Sequence, residues 1–402
     1  MSQSKKLIPK RRFKGFEKSK EFCQIEWQKL VERLTVMSSA HCLPRVEFED
    51  IISGQGELNK DVFKKINDKR GIEFKKGDIL FGKLRPYLKN WLYAGFDGIA
   101  VGDFWVFRPT FSNGGFIYAL IQTNQYQKVA NQSTGTKMPR SDWNIVSNTK
   151  FIVTTNKIEQ TQIGEFFKKL DNLINTQQKK LEKAKTLKSA YLREMFPNEG
   201  ELKPRLRFSG FRLAWEKYQL GEVAHYRRGA FPQPYGYEKW YNGNNSQPFV
   251  QVVDVTNQLK LAHKTKQRIS KLAQPFSVFV PAGKIIVTLQ GSIGRVAITQ
   301  YDSYIDRTLL VFENFIKKID LTFWAYTIQQ LFEIEKKKAP GGTIKTITKE
   351  ALSNFYITLP TEQEQTKIGN FFKLLDDKIA LEQKKLDKLK NIKQAYLNEM
   401  FV

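Results

Sequence analysis

Residues 159–196, EQTQIGEFFKKLDNLINTQQKKLEKAKTLKSAYLREMF, return at 364–401 as EQTKIGNFFKLLDDKIALEQKKLDKLKNIKQAYLNEMF, with 24 of 38 positions identical at a constant offset of 205. Periods of about 20 to 50 residues build solenoids; a period this long means a duplicated domain with its helix. A chain of 402 residues has room for two to three domains at about 150 residues each. The chain therefore reads as two copies of one unit.

In both copies apolar residues recur at roughly 3.5-residue spacing, the mark of a helix with one buried stripe. In the first they are Ile163, Phe166, Phe167, Leu170, Leu173, Ile174, Leu181, Ala184, Leu187, Tyr191 and Met195. In the second they are Ile368, Phe371, Phe372, Leu375, Ile379, Leu386, Leu389, Ile392, Tyr396 and Met400. The remaining faces are rich in Lys, Glu and Gln, and no proline or glycine interrupts either segment after Gly164 and Gly369. At 1.5 Å per residue each helix runs about 57 Å, longer than a domain of about 150 residues is wide. Two such helices in one chain are expected to pair, antiparallel if a pseudo-two-fold axis relates the halves.

Other landmarks keep the same order in both halves. PKRRFKGF at 9–16 parallels PRLRFSGF at 204–211, and Trp27 parallels Trp215 before a helix-like stretch. KKGDILFGKLRP at 75–86 parallels PAGKIIVTLQGSIG at 281–294, and GDFWVFRP at 102–109 parallels DRTLLVFEN at 306–314. GTKMPRSDWN at 135–144 parallels GTIKTITKEAL at 342–352; each leads to a short strand, FIVT at 151–154 or YITLP at 356–360. Short β-branched and aromatic runs, separated by Asn113-Gly114-Gly115, Asn242-Gly243 and Gly341-Gly342, predict an irregular, mainly antiparallel sheet in each half. The fold class is α+β: two pseudo-repeated domains separated by two long helices that form an antiparallel coiled coil. The boundaries read 1–155, a helix over 156–197, a linker at 198–203, 204–360, and a helix over 361–402.

Charge narrows the function. Lys and Arg number 66 against 40 Asp and Glu, a net +26, on a chain that is 41% hydrophobic and 13% aromatic. This is a folded basic protein, and a polyanion, nucleic acid first, is the expected partner. Cys23 and Cys42 are too few for a disulfide framework, which points to a reducing compartment. His41, His225 and His263 have no metal-ligand spacing, so no metal site is expected. The basic N-terminus has no apolar core of a signal peptide, and the longest uncharged stretch, 109–127, holds too many amides to cross a bilayer.

The doubled EQTxIGxFFKxLD…AYLxEMF helices, the PxxRFxGF lead-in segments, and GDILFGKLRPYLKN with GDFWVFRP resemble the specificity subunit of type I restriction-modification systems over essentially the whole chain. The resemblance implies that each variable domain is a target-recognition domain reading one half of a split, asymmetric site on double-stranded DNA. It implies that the long helices form a spacer and carry the docking surface for two methyltransferase subunits, with restriction/translocase subunits completing the complex. Residues expected at that interface are Phe166, Phe167, Leu170, Leu181, Tyr191, Phe371, Phe372, Leu375, Leu386 and Tyr396. S-adenosylmethionine, ATP and Mg²⁺ are expected in the partner subunits and none in this chain, in the cytoplasm. The longer stretch EKSKEFCQIEWQKLVERLTV departs from the second half's plan and blurs the start of the first domain.

The residues agree with a non-catalytic chain. No (Asn/Asp)-Pro-Pro-(Tyr/Phe) loop holds a target amine, and no glycine-rich loop for S-adenosylmethionine is present. Asp68 with Glu73-Phe74-Lys75 has the local pattern of a nuclease carboxylate set but reads as a charged turn before a strand. Gly341-Gly342-Thr343 lacks P-loop spacing. Base-reading residues belong on loops beside the strands. The candidates are Lys83, Arg85, Tyr87, Lys137 and Arg140 in the first domain, and Arg227, Arg228, Gln233, Tyr235, Gln290, Arg295 and Lys345 in the second. Two rival readings stand beside this one. A fused modifying or restriction enzyme needs a catalytic motif; a structural scaffold predicts no salt-dependent DNA binding.

Overall fold

The computed structural model describes residues 8–17, 21–64, 68–132, 137–338 and 352–402. They form two compact units: one runs to Lys180 and is joined by Glu382–Val402, and the other is Leu181–Leu381. The central helix spans Lys157–Glu194 and the C-terminal helix Glu362–Met400, so each unit holds one domain and a segment of both helices.

Each domain is layered in the same way. In the first, strands Val31–Leu34, Phe104–Pro109, Ile79–Gly82 and Trp91–Tyr93 form one antiparallel sheet in that order. In the second, Ala224–Arg228, Leu309–Phe315, Ile285–Thr288 and Val296–Ile298 repeat that order and sense. Side chains alternate across these central strands. Leu80, Phe104 and Val106 point into a core shared with a second sheet, whereas Ile79, Phe81, Trp105 and Phe107 pack with the helices. Ile286, Leu309 and Val311 are divided from Ile285, Val287, Leu310 and Phe312 in the same manner. A strand buried on both faces reads as an unbroken apolar run, as ILF and IIV do.

The second sheet of each domain supplies the irregularity in the expected, mainly antiparallel plan: one parallel pair. Its shared part is a three-stranded mixed unit: Arg45–Glu47 runs parallel to Gly98–Val101, which runs antiparallel to Gly71–Phe74. In the other domain Gln247–Val250, Ser303–Ile305 and Val278–Val280 take these places. The fourth strand joins opposite edges: Met37–Ser38 pairs with Gly71–Phe74, but Gln267–Ile269 pairs with Gln247–Val250. The two domains share a frame and differ in what was added to it.

The expected strands before the long helices are present, and each pairs antiparallel with a strand near the start of its domain: Lys150–Thr154 with Phe22–Glu26, and Tyr356–Leu359 with Glu216–Gln219. The Trp27–Trp215 parallel does not hold. Trp27 begins the four-residue helix after the first strand, where the second domain has Leu220; Trp215 precedes its strand. Both indoles are buried, which produces the likeness in sequence without a common place in the fold. Glu73 and Phe74, expected in a charged turn, instead end the strand Gly71–Phe74; the turn follows at Lys75–Asp78, where Lys75 N donates to Asp78 Oδ2 at 2.8 Å and Arg108 clamps the Asp78 carboxylate.

The conserved helix starts are explained by what they hold. Arg12 makes two 2.7 Å bonds to Glu159, and Arg207 repeats them on Glu364 at 2.9 and 2.6 Å. Gln160 accepts from Asn113 N and donates to Thr154 O; Gln365 does the same with Asp320 N and Pro360 O. Gly164 and Gly369 let the N-termini of other helices approach: a Cβ would lie 2.8 Å from Phe116 N or 2.4 Å from Asp320 Oδ1. The glutamate, the glutamine and the glycine of EQTxIG thus each seat one neighbouring segment.

The helices run antiparallel within each unit. In the first, Phe166 meets Tyr396 and Lys393 bonds Asp171, while Gln177 donates to Glu382 O at 3.0 Å. In the second, Tyr191 meets Phe371 and Lys188 pairs with Asp376. Among the described residues no helix is long and apolar enough to cross a membrane.

Candidate nucleic-acid interface

The first rim forms where the strand Ile79–Gly82 ends. Lys83 N donates to Asp103 O at 2.9 Å, Ser141 N to Lys83 O at 2.8 Å, and Arg85 N to Pro139 O at 2.7 Å. Leu84 and Arg140 form a β-bridge. These bonds lay residues 139–141 along 83–85, so candidates more than fifty residues apart in sequence share one edge. Arg85 has a left-handed backbone, φ 46°, as the chain bends into the turn Pro86–Leu88. Its guanidinium makes no ion pair among the described residues. Tyr87 is 54% exposed, and Lys137 is exposed as well.

Asp103, which the sequence reading did not single out, organises this rim. Its carboxylate lies 3.2 Å from Arg140 Nη2 and 3.8 Å from Lys83 Nζ. The signal was available in GDFWVFRP, where an aspartate at a glycine turn precedes a strand.

The second domain presents its rim at the same end of the same sheet. Arg227 and Arg228 lie opposite Val311 and Leu310, on opposite faces of their strand, so the pair is split. Arg227 Nε is 3.7 Å from Glu313 Oε1, and Arg228 Nη2 donates to Arg307 O at 3.2 Å. Gln233 is exposed on the following loop, and Gln290 is half-buried where the strand Ile285–Thr288 ends.

Two candidates are corrected. The Tyr235 hydroxyl donates to Asp306 Oδ2 at 2.7 Å and accepts from Gln251 Nε2 at 2.8 Å, so it anchors its loop instead of facing outward. Burial, then the Asp306 bond, pushes its pKa well above the ordinary tyrosine range and keeps it a donor. Arg295 is tied back into its own domain, with its N–H on Thr288 Oγ1 and its Nη1 on Val255 O. Lys345 lies outside the described residues. Arg307 was missed: it stands exposed at the rim, and it was visible only as the arginine of DRTLLVF.

The helix residues assigned to partner docking pack within the chain. Phe167, Leu170, Leu181, Phe372 and Leu386 are at most 8% exposed. Phe166, Tyr191, Phe371, Leu375 and Tyr396 are half-buried against the unit cores. Helical spacing of apolar residues identifies mainly the stripe that the fold itself covers, with Leu173 and Leu187 of that stripe left exposed. Ile158, Leu374 and Leu381, outside the stripes, are exposed as well. Glu47, Glu49 and Asp50 bring carboxylates together, but Lys69 lies 2.6 Å from Glu47 and Lys60 2.6 Å from Asp50.

Two duplicated domains, long helices antiparallel in each unit, and a polar rim at the same sheet end in each domain make up an architecture that can be compared with known proteins. Residues 213–391 match the family described as the type I restriction modification DNA specificity domain. The putative type I restriction enzyme MjaX specificity subunit of Methanocaldococcus jannaschii is 24% identical over 245 residues, 60% of this chain and 56% of that protein. The match thus spans little more than half of that relative's length. The solved S subunit of a type I restriction-modification system from M. genitalium has the same fold, with a TM-score of 0.62 at 13% identity over 98% of this chain and 99% of that one. A chain from a structural study of type I R-M complex assembly and conformational transition gives 0.57 at 20% identity, over 95% and 97%. In sequence over part of its length, and in fold over nearly all of it, this chain is similar to type I specificity subunits.

Proposed function

We propose that the chain is the DNA-recognition subunit of a type I restriction-modification complex, each domain reading one half of a bipartite site on double-stranded DNA. The observation that carries this is the repeated placement of arginines at one end of the same sheet in two otherwise diverged domains, joined by Lys83 in the first and Gln290 in the second. A net charge of +26 supplies the sequence-independent attraction to phosphate. The chain itself catalyses nothing in this reading. Two methyltransferase subunits and the restriction/translocase subunits bring S-adenosylmethionine, ATP and Mg²⁺, and the complex works in the cytoplasm. Exposed leucines on the long helices support docking of those partners.

Mapping methylated bases across the genome of cells carrying this chain with its methyltransferase tests the reading. A split motif with an unread gap is the expected result. Methyl transfer by the highly purified chain alone would establish the fused-enzyme reading in its place.

A further inference from the structure

The turn before the strand Leu309–Phe315 is fixed from several sides. Asp306 is 2% exposed; its Oδ1 accepts from Thr308 N at 2.8 Å, and its Oδ2 accepts from Tyr235. Arg228 holds the carbonyl of Arg307. The Arg307 side chain leaves this anchored turn exposed, with its guanidinium 5.4 Å from the centre of the Tyr235 ring, and no carboxylate among the described residues pairs with it. Arg228, Gly229, Gln290 and Arg307 line one open depression. Gly229 is packed directly against the same turn, since a Cβ on it would lie 2.2 Å from Asp306 O. The Gln290 amide makes no hydrogen bond among the described residues.

We propose that Arg307 reads a guanine edge in the half-site of the second domain, with Gln290 contacting the neighbouring base pair and Arg228 and Tyr235 as positioning residues. This rests on the DNA-recognition reading above. Phosphate needs only a cation on a convex surface, whereas this depression is bordered by planar forks on a fixed turn and by no lysine. Such forks match purine edges: arginine pairs with guanine O6 and N7, and glutamine with adenine N6 and N7. The first domain differs, since Asp103 there already engages Lys83 and Arg140. Uncommitted donors on a held backbone are what discrimination between bases requires.

Selection of bound sites from a random duplex library, using the full chain in its methyltransferase complex, tests this with R307A, R307K and Q290A. The wild type should yield a bipartite motif; if it yields none, the DNA-recognition reading itself fails. R307A should lose preference for guanine at a single position of one half-site, by roughly ten-fold or more. R307K keeps the charge without the fork and should relax that same position while the salt dependence stays as in the wild type. Q290A should relax the adjacent position. Uniform weakening with the motif intact in R307A, rescued by R307K, would make Arg307 a phosphate contact and overturn the proposal. An unchanged motif and affinity would overturn it as well.

Discussion

Glu159 is 1% exposed, and its Arg12 partner is nearly as buried; Glu364 and Arg207 repeat the arrangement in the other unit. Removing the arginine leaves a carboxylate inside the protein with Thr154 Oγ1 as its remaining close donor in the first unit. Arg12→Ala should therefore cost about 3–5 kcal/mol in denaturant unfolding, with Arg207→Ala similar. A loss under about 1 kcal/mol would place these pairs with ordinary surface ion pairs. Gly164→Ala and Gly369→Ala force a methyl against backbone or a carboxylate and should each cost about 1–3 kcal/mol. Gly95, with nothing within 4 Å of an added Cβ, should accept alanine with no such loss in the same assay. The sequence displayed the arginines, glutamates and glycines as three repeated pairs of letters, but a repeated letter does not say what it touches.

Among elements, the long helices were the most legible, because a 3.5-residue apolar period with no breaker admits no other structure. Their role was less so. Phe167→Ala and Phe372→Ala remove fully buried rings and should cost about 3–5 kcal/mol each, seen as a lowered Tm. Leu374→Glu, at a position 70% exposed, should leave Tm nearly unchanged while weakening co-purification of the methyltransferase subunit. If Leu374→Glu leaves the complex intact, the docking surface lies elsewhere. The strands were legible as runs, but their division into two sheets was not. Parallel pairing of Arg45–Glu47 with Gly98–Val101 joins segments some fifty residues apart, and no local pattern encodes such a partner.

At the scale of the whole molecule, two domains of one frame with different additions predict modular specificity. Exchanging residues 204–360 for the equivalent domain of a relative should replace one half of the methylated motif and leave the other as it was. A change in both halves, read by sequencing methylated sites, would contradict independent reading. By itself the sequence determined the duplication, the two long helices, the α+β class and the basic character, because each follows from periodicity or composition along the chain. Only the tertiary structure decided that residues 139–141 lie along 83–85 and that Tyr235 turns inward to Asp306. It also decided that the helix phenylalanines serve the chain's own cores. Those outcomes depend on contacts between distant segments, whose burial and hydrogen bonding are settled only when the sheets and helices close on one another.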